Sequence, residues 1–315
     1  MSRDTFWVCD DEALGAYHFG PSHPFGPQRL PAYQRALAAA GLDGGFERFA
    51  AEVADDAVLQ RFHTAEYVNR VHAMAGSGAP LDQGDTPAVA DIDQAAARVV
   101  GTTVRAAEAI MAGECRRAFV PIAGLHHARR DRAAGFCVFN DCGVVIETLR
   151  QRHGLRRIAY VDIDVHHGDG VFYSFEDDPD LLFADIHQDG RSLFPGTGRA
   201  DETGTGAATG TKLNIPLAPG SGDKEFDAAW ARVEAYLAAG RPEFILLQCG
   251  ADGLDGDPLA QLHYSDHPHS HAATRLRALA DHHCAGRMLA VGGGGYAAEN
   301  IGTAWVAVTA AMAGP

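Results

Sequence analysis

Asp162, Asp164 and His166 stand at alternate positions at the end of an apolar run, and their side chains are of types that bind metal ions. In an extended strand, alternate side chains begin on the same face, and carboxylate and imidazole groups so close together suit a divalent metal ion. A third ligand could come from Asp252, which follows a second apolar run. Two aspartates and one histidine would leave a coordination position open, which is typical of catalytic rather than structural metal sites. The structural alternative is a buried ion pair or a helix cap, and the second acidic strand end weakens it.

Two adjacent histidines, His126 and His127, follow a third apolar run. A single buried histidine is usually a core residue with a hydrogen-bond partner, but two in a row facing the spare carboxylates of Asp162 and Asp169 are harder to explain in that way. A carboxylate that binds one ring nitrogen fixes the tautomer of an imidazole and stabilises its protonated form. The pattern therefore indicates a general base for proton transfer.

A run of four glycines, Gly292–Gly295, precedes Tyr296. Such a run most often forms a tight turn, and it fits neither of the common glycine-rich phosphate-binding patterns. Because glycine lets the backbone pass close to other groups, the run could bring Tyr296 up to the metal. The tyrosine hydroxyl could then stabilise an oxyanion.

These polar segments follow the strands of a predicted α/β fold. Short runs of β-branched and aliphatic residues alternate with alanine-rich stretches of helical period, which predicts a mostly parallel sheet covered by helices on both faces. The predicted strands are Phe6–Cys9, Ala118–Ile122, Ile158–Val165, Leu181–Ile186, Leu213–Leu217, Phe244–Cys249 and Met288–Val291. The predicted helices are Pro31–Ala40, Asp91–Ala112, Asp141–His153, Asp223–Ala239, His267–His283 and Glu299–Met312. Ligands bind such sheets at the carboxyl ends of the strands, so we expect one site built from four strand ends, within a single domain of residues 1–315.

The 315 residues carry a formal net charge of −15, because 26 Lys and Arg face 41 Asp and Glu. Such an acidic chain is a poor partner for nucleic acid, but it suits cationic small molecules or basic peptide tails. The six cysteines form no C-x-x-C pair and indicate reduced thiols. With no secretory leader and no apolar run long enough to span a bilayer, the sequence predicts a cytoplasmic protein that binds no membrane.

Several motifs in the same order make the chain resemble the zinc-dependent histone deacetylases and their bacterial relatives, which include the acetoin-utilisation type and the acetylpolyamine amidohydrolases. The resemblance covers nearly the whole chain. The motifs are His23-Pro-Phe-Gly-Pro-Gln-Arg29, Phe62-His-Thr, Leu125-His-His-Ala, Gly135-Phe-Cys-Val-Phe-Asn-Asp, the string from Asp162 to Gly170, Phe194-Pro-Gly-Thr-Gly, Gly250-Ala-Asp and the glycine–tyrosine string. The resemblance implies the single-domain arginase/deacetylase α/β fold and hydrolysis of the amide of an acylated amine.

The resemblance also implies catalytic roles, residue by residue. One zinc ion (Zn²⁺) per chain is expected on three side chains, Asp164, His166 and Asp252. The implied catalytic groups are the general base His127 with its partner Asp169, the electrostatic partner His126 with Asp162, and Tyr296, which binds the acyl oxygen.

Substrate contacts and a second ion follow from the same resemblance. The narrow tunnel for an acyl-lysine side chain is implied at Gly135, Phe136 and Phe194, and Gly294 is expected to contact the substrate as well. Asp85 is implied at the rim, where it holds the substrate backbone, and Arg29 in an internal acetate pocket. A monovalent cation, usually potassium (K⁺), is implied at Asp162, Asp164, His166, Asp185 and Ile186. The family commonly has a serine where this chain has Asp185, a departure that bears on the identity and affinity of that ion.

The predicted activity is that of a zinc-dependent deacylase acting on acetyl-lysine in proteins or peptides, with an acetylated polyamine as the alternative substrate. A two-manganese ureohydrolase of the same fold is a remoter alternative. It would need an Asp-x-His-x-Asp string, whereas His166 is followed by His167 and Gly168. A non-catalytic acyl-amine binding module would be expected to have lost Tyr296 or one of the paired histidines, and all are present.

Overall fold

The computed structural model describes residues 5–42 and 44–314. Within these ranges eight strands form one sheet, and every neighbouring pair is parallel. The strands are β1 (Phe6–Val8), β2 (Glu47–Arg48), β3 (Arg117–Val120), β4 (Ile158–Asp162), β5 (Leu181–Gln188), β6 (Lys212–Leu217), β7 (Phe244–Gln248) and β8 (Met288–Val291). Their order across the sheet is β2-β1-β3-β8-β7-β4-β5-β6. The predicted α/β class with a parallel sheet is confirmed.

The helices of the described ranges cover this sheet on both faces. They are α1 (Arg29–Ala39), α2 (Asp56–Leu59), α3 (Ala65–Met74), α4 (Ile92–Ala112), α5 (Asp141–His153), α6 (Asp169–Ser174), α7 (Asp223–Gly240), α8 (His267–His283) and α9 (Ala298–Ala313). Helices α1, α7, α8 and α9 pack in one layer, and α2, α4 and α5 pack in another. Because α4 and α8 both contact β8 but belong to different layers, the sheet lies between the two. None of these helices has the length and apolar character needed to cross a bilayer.

The core follows from this layering. Every residue of β3, β4, β5, β7 and β8 is buried. A strand that is covered on both faces must be apolar along most of its length, which is why these segments read as continuous runs rather than alternating patterns. The largest buried side chains on the helices are Trp230 on α7 and Trp305 on α9.

Strand β4 ends at Asp162, three residues before the predicted end at Val165. Beyond it, the Asp164 N–H donates to Oδ1 of Asp162 at 3.0 Å, and the His166 N–H donates to Oδ1 of Asp164 at 3.0 Å. These carboxylates accept bonds that a continuing strand would donate to its neighbour, so the strand stops. The predicted strand is therefore wrong beyond Asp162, and Asp164 and His166 converge through a turn instead.

Among the strands and α-helices of the described chain, four are not among the predicted elements, and, β4 apart, the other predicted bounds lie within two residues of the observed bounds. The four are β2, α2, α3 and α6. β2 consists of two exposed residues, so no apolar pattern reveals it. α3 had a detectable signal, because Tyr67, Val68 and Val71 are buried at helical spacing and Thr64 caps the helix by accepting the Tyr67 N–H. α2 and α6 are too short for a helical period to be distinct.

Candidate functional site

The segments that follow β3, β8, β7 and β4 meet at one end of the sheet. These strands are neighbours and run in the same direction, so their carboxyl ends lie side by side. The segments carry the His126–His127 pair, the glycine run before Tyr296, Asp252, and the turn with Asp164 and His166. The structure thus brings together the polar strings at the edge where parallel sheets bind ligands.

Asp164, His166 and Asp252 form a buried cluster whose potential ligand atoms all lie within 4.8 Å of one another. Nδ1 of His166 is 3.1 Å from Oδ1 of Asp164 and 3.1 Å from Oδ2 of Asp252. Tetrahedral ligands that are about 2.0–2.1 Å from a zinc ion are separated by about 3.3 Å, which is close to these distances. The three side chains therefore fit a zinc ion and leave one position for water or substrate.

The charges of the cluster also favour a divalent cation. Two buried carboxylates, Asp164 and Asp252, need positive charge close by. Burial and repulsion from Asp164 raise the pKa of Asp252 to about 6. Burial alone would lower the pKa of His166, but its hydrogen bonds to both aspartates outweigh burial and raise this pKa to about 10. A zinc ion that binds here would displace the extra imidazole proton and supply the missing charge.

His126 and His127 each pair with a carboxylate. Nδ1 of His127 donates to Oδ1 of Asp169 at 2.7 Å, and Nδ1 of His126 donates to Oδ2 of Asp162 at 2.8 Å. The two Nε2 atoms lie 3.1 Å apart, so both rings turn the same nitrogen towards each other. Arg129 donates to the second oxygen of Asp169 at 3.1 Å. Both His–Asp pairs that the resemblance implies are present.

The surroundings of His127 keep its ring neutral. Burial, followed by repulsion from His126, lowers the pKa of His127 to about 4. The Asp169 carboxylate opposes this shift only in part. Because Nδ1–H donates to Asp169, the free lone pair of the neutral ring is on Nε2. His127 can therefore accept a proton at neutral pH, which is what a general base must do.

The glycine run holds Tyr296 beside the metal cluster. The Gly294 N–H donates to Oδ2 of Asp164 at 2.8 Å, and a Cβ at Gly294 would overlap the carboxylate of Asp252. The Tyr296 ring lies edge-on to His166, with 6.4 Å between centroids. Burial and the negative charges of Asp252 and Asp164 raise the pKa of Tyr296 well above its usual value. Its hydroxyl therefore stays protonated and can donate a hydrogen bond.

Aromatic rings surround the approach to His127. Phe194 lies edge-on to His127 at 5.0 Å between centroids, and Phe136 lies edge-on to Tyr296 at 5.8 Å. Gly135 has a φ of 53°, and a Cβ there would be 2.6 Å from the His127 ring and 2.8 Å from the Phe194 ring. Only glycine fits between the two rings, and Phe194 reaches solvent with 46% of its surface exposed.

Asp85 lies at the surface on the loop that supports Phe136. Its backbone carbonyl accepts a hydrogen bond from Nε2 of His23 at 3.1 Å. The hydroxyl of Thr86, the next residue, accepts the Phe136 N–H at 3.0 Å. Partial burial and the neighbouring Asp82 raise the pKa of Asp85 to about 6. The position fits the predicted rim of the tunnel.

Arg29 is buried beneath the glycine run. Its Nε donates to the carbonyl of Gly295 at 3.0 Å, and Nη2 donates to the carbonyl of Gly293 at 2.5 Å. The ring of Phe25 lies 3.8 Å from the guanidinium carbon. Nη1 is buried and has no hydrogen-bond partner within the described residues. A buried donor of this kind could bind a small anion, as an internal acetate pocket requires.

Asp185 lies beside Asp162, because β4 and β5 pair with these residues opposite each other. Its Oδ2 accepts the Gly168 N–H at 2.8 Å, and its Oδ1 accepts Nδ1–H of His187 at 2.7 Å. Nε2 of His187 faces the carbonyl of Gly198 at 2.8 Å. Both ring nitrogens of His187 therefore face acceptors, which requires the doubly protonated imidazolium. This cation balances the charge that Asp185 adds where a serine is expected.

The predicted monovalent-cation residues crowd together at this point. Asp162, Asp164, His166, Asp185 and Ile186 are all buried. Burial and repulsion from Asp185 and Asp164 raise the pKa of Asp162 well above its usual value. A cation among these carboxylates would relieve the repulsion, so the charges fit the expected ion.

Three buried polar residues that support the site were not predicted. The Tyr160 hydroxyl donates to Oδ2 of Asp162 at 2.5 Å, and the amide of Gln248 donates to Oδ2 of Asp164 at 2.9 Å. Asp141 accepts hydrogen bonds from the backbone N–H groups of the two residues before the histidine pair. Tyr160 stands two residues before Asp162 and Gln248 ends β7, so both had detectable signals. Asp141 had no such signal, because its contacts with the segment before the histidine pair form only in the folded chain.

Comparison with known proteins gives consistent matches. Residues 23–312 match a family model described as "Histone deacetylase domain". Acetoin utilization protein AcuC of Bacillus subtilis is 35% identical over 304 residues, which cover 93% of this chain and 78% of that protein. A "Probable deacetylase" of Archaeoglobus fulgidus is 34% identical, with 93% and 82% covered. Histone deacetylase clr6 of Schizosaccharomyces pombe is 30% identical, with 96% and 76% covered. The crystal structure of the HDA15 HD domain matches with a TM-score of 0.90 and 29% identity, over 99% of this chain and 89% of that one.

Proposed function

The chain belongs to the histone deacetylase family and is a deacetylase, and we propose that it hydrolyses the amide of acetyl-lysine in proteins or peptides. The observation that carries this proposal is the convergence of two arrangements at one end of the sheet. One is the buried cluster of Asp164, His166 and Asp252. The other is a neutral His127 held by Asp169.

We propose that Asp164, His166 and Asp252 hold one zinc ion. The chemistry that bound zinc supplies is Lewis acidity, which polarises a carbonyl oxygen and lowers the pKa of water from 15.7 towards about 7. The remaining chemistry falls to the protein's own side chains.

His127 manages the protons of the reaction. Its Nε2 accepts a proton from the attacking water while the water oxygen forms a bond to the acyl carbon. The same nitrogen then protonates the lysine amine as the carbon–nitrogen bond breaks, which releases the free amine and acetic acid; the acid then loses its proton to water. Asp169 stabilises the imidazolium that exists between these two steps, through the 2.7 Å hydrogen bond to Nδ1. Hydrogen bonds from His127 and, to a smaller extent, from Arg129 lower the pKa of Asp169 in spite of burial, so this carboxyl stays ionised.

Tyr296 and His126 act on the charge that develops. As the acyl carbon becomes tetrahedral its oxygen becomes negative, and the Tyr296 hydroxyl donates a hydrogen bond to it. The His126 ring is hydrogen-bonded to Asp162 and lies 4.1 Å from the His127 ring, measured between centroids. At this distance it can polarise in response to the developing charge.

The shape of the pocket favours a short acyl group. The cavity lined by His127, Cys137, His166 and Tyr296 is small, with an empty volume of about 240 Å³ that includes space open to solvent. A short acyl group such as acetyl suits a pocket of this size, and we expect a longer chain such as butyryl to fit less well. The aromatic approach between Phe136 and Phe194 suits the straight aliphatic stem of lysine.

The rim of the pocket favours a substrate whose amine belongs to a lysine within a peptide. The Asp85 carboxylate is exposed and can accept hydrogen bonds from backbone N–H groups of a bound peptide. A polyamine has no backbone, although its ammonium groups could pair with the same carboxylate. Acetylated polyamines are therefore tested beside the peptides.

The test is a turnover panel with the zinc-loaded enzyme. We expect kcat/KM to be highest for acetyl-lysine peptides, lower for butyryl-lysine peptides and lower for acetylated polyamines. Asp85→Asn should raise KM for peptides and change that for polyamines less, and Asp131→Asn, another exposed aspartate, serves as the matched control. A higher kcat/KM for acetylpolyamines would overturn the substrate assignment, and no turnover of any acylated amine would overturn the whole proposal.

Three further expectations belong to this proposal. We propose that residues 1–315 form one domain, which is supported by the single sheet that all described strands share. A potassium ion beside Asp185 is supported by the crowded carboxylates there. A cytoplasmic location is supported by the six cysteines, all of which are buried and unpaired.

A further inference from the structure

Asp227 on α7 and His267 and His271 on α8 form a second cluster, at the surface where the two helices meet. Their potential ligand atoms all lie within 4.8 Å of one another. Nε2 of His267 is 2.8 Å from Oδ1 of Asp227, and the rings of His267 and His271 are 5.2 Å apart between centroids. Histidines four residues apart lie on one helix face, which is the spacing by which a helix can bind one metal ion with two imidazoles.

An ion pair between Asp227 and His267 would account for two members of the cluster but not for the third, His271. Its ring lies edge-on to Trp230 at 6.0 Å between centroids, and its nitrogens have no hydrogen-bond partner in the described part of the chain. Its ring nitrogens are therefore available to bind a metal ion beside His267 and Asp227.

The charges around the cluster are negative in balance. Asp223 and Asp227 on α7 and Asp266 at the start of α8 contribute carboxylates. Glu234 on α7 pairs with Arg275 on α8, so these two charges cancel. The remaining carboxylates offset the positive end of the α8 dipole, which by itself disfavours a cation at the first turn.

We propose that Asp227, His267 and His271 bind a second zinc ion, which clamps α7 to the start of α8. Two imidazole nitrogens and one carboxylate oxygen suit the borderline divalent metals and leave a fourth position for water. His267 and Asp227 have exposed side chains, at 42% and 50%, so this ion exchanges with solution more readily than one in the buried cluster.

The clamp also bears on the loop that carries Asp252. His269, on the same helical turn, is buried, and its Nε2 donates to the carbonyl of Gly250 at 2.8 Å. The Tyr264 N–H donates to the carbonyl of Gly253 at 3.1 Å. An ion that fixes the start of α8 against α7 therefore restrains the loop on both sides of Asp252.

The test counts zinc by elemental analysis in four forms of the full chain after equilibrium dialysis against buffered Zn²⁺. The forms are the wild type, His267→Gln/His271→Gln, Asp164→Ala, and all three substitutions together. We expect about two zinc ions per chain in the wild type, about one in each partial variant and about none in the combination. Because each cluster is removed in a variant of its own, a failure of one zinc assignment can be distinguished from a failure of the other.

The matched control is His282→Gln/His283→Gln at the other end of α8. Those rings are 4.5 Å apart, but adjacent residues do not share a helix face, so this variant should retain both ions. Asp227→Asn should weaken the second zinc at least about tenfold, since even outer partners of metal ligands account for about 10–100-fold. Equal zinc contents in the wild type and in His267→Gln/His271→Gln would overturn the site, as would equal losses in the control. Unchanged affinity in Asp227→Asn would overturn the three-ligand arrangement.

Discussion

Replacing Tyr296 by phenylalanine removes one oxygen atom and leaves every packing contact of the ring in place. The ring packs edge-on against Phe136 and His166, with 5.8 and 6.4 Å between centroids. The Tyr296 N–H donates to Asp257 at 2.8 Å. None of these contacts uses the hydroxyl, so we expect Tyr296→Phe to fold, to retain zinc and to bind the lysine stem.

The expected loss lies in the transition state. One hydrogen-bond donor to an oxyanion is worth about 10²–10³ in kcat, which corresponds to about 2.7–4 kcal/mol. Burial, Asp252 and Asp164 raise the pKa of Tyr296 well above its usual value, so the donor stays protonated and the loss should be the same at every assay pH. Because the bond forms only as charge develops, kcat should fall while KM changes little.

The assay measures kcat and KM on an acetyl-lysine peptide and zinc content in the same samples. Tyr264→Phe is the matched control, because the Tyr264 hydroxyl is buried and has no hydrogen-bond partner in the described residues. Its removal should leave turnover close to that of the wild type. Near-normal turnover of Tyr296→Phe, with full zinc content, would refute the role of the hydroxyl.

Three other predictions test the metal, the base and the buried ion pair. Asp164→Ala should lose the zinc ion of the buried cluster together with activity, and an elemental analysis that finds as much zinc per chain as in the wild type would contradict this ligand. The kcat/KM profile should lose activity only as pH falls well below the usual histidine pKa of about 6.5, because the base works above its pKa and that of His127 is lowered to about 4. An acid limb at or above pH 6.5 would contradict this assignment. Asp185→Asn should lower the free energy of unfolding, measured in urea, by about 3–5 kcal/mol, since it leaves the His187 imidazolium buried without its counterion. An unchanged free energy would show that the pair is not charged.

The sequence predicts the sheet well because a parallel strand that is buried on both faces reads as an uninterrupted apolar run, and the site motifs stand directly after such runs. The hydrophobic pattern of the sequence does not reveal the order of the strands in the sheet. Asp185 meets Asp162, and Gln248 reaches Asp164, only because β4 lies between β5 and β7 in the sheet. The turn after Asp162 was also hidden, because it arises when carboxylates accept the backbone N–H groups of the next residues.

The electrostatics of this end of the sheet connect its stability to its function. Asp162, Asp164, Asp185 and Asp252 are buried within one small region, and protein groups balance only part of their charge. His187 compensates Asp185, and protonated His166 compensates one of the remaining charges when no metal is bound. A divalent ion that displaces the His166 proton adds a net charge of about one unit to a region still deficient in positive charge, so its binding stabilises the folded chain as well as activating it. This coupling explains why the ligands come from two strand ends that the sheet holds side by side: the ion can bind strongly only where folding has already brought the carboxylates together.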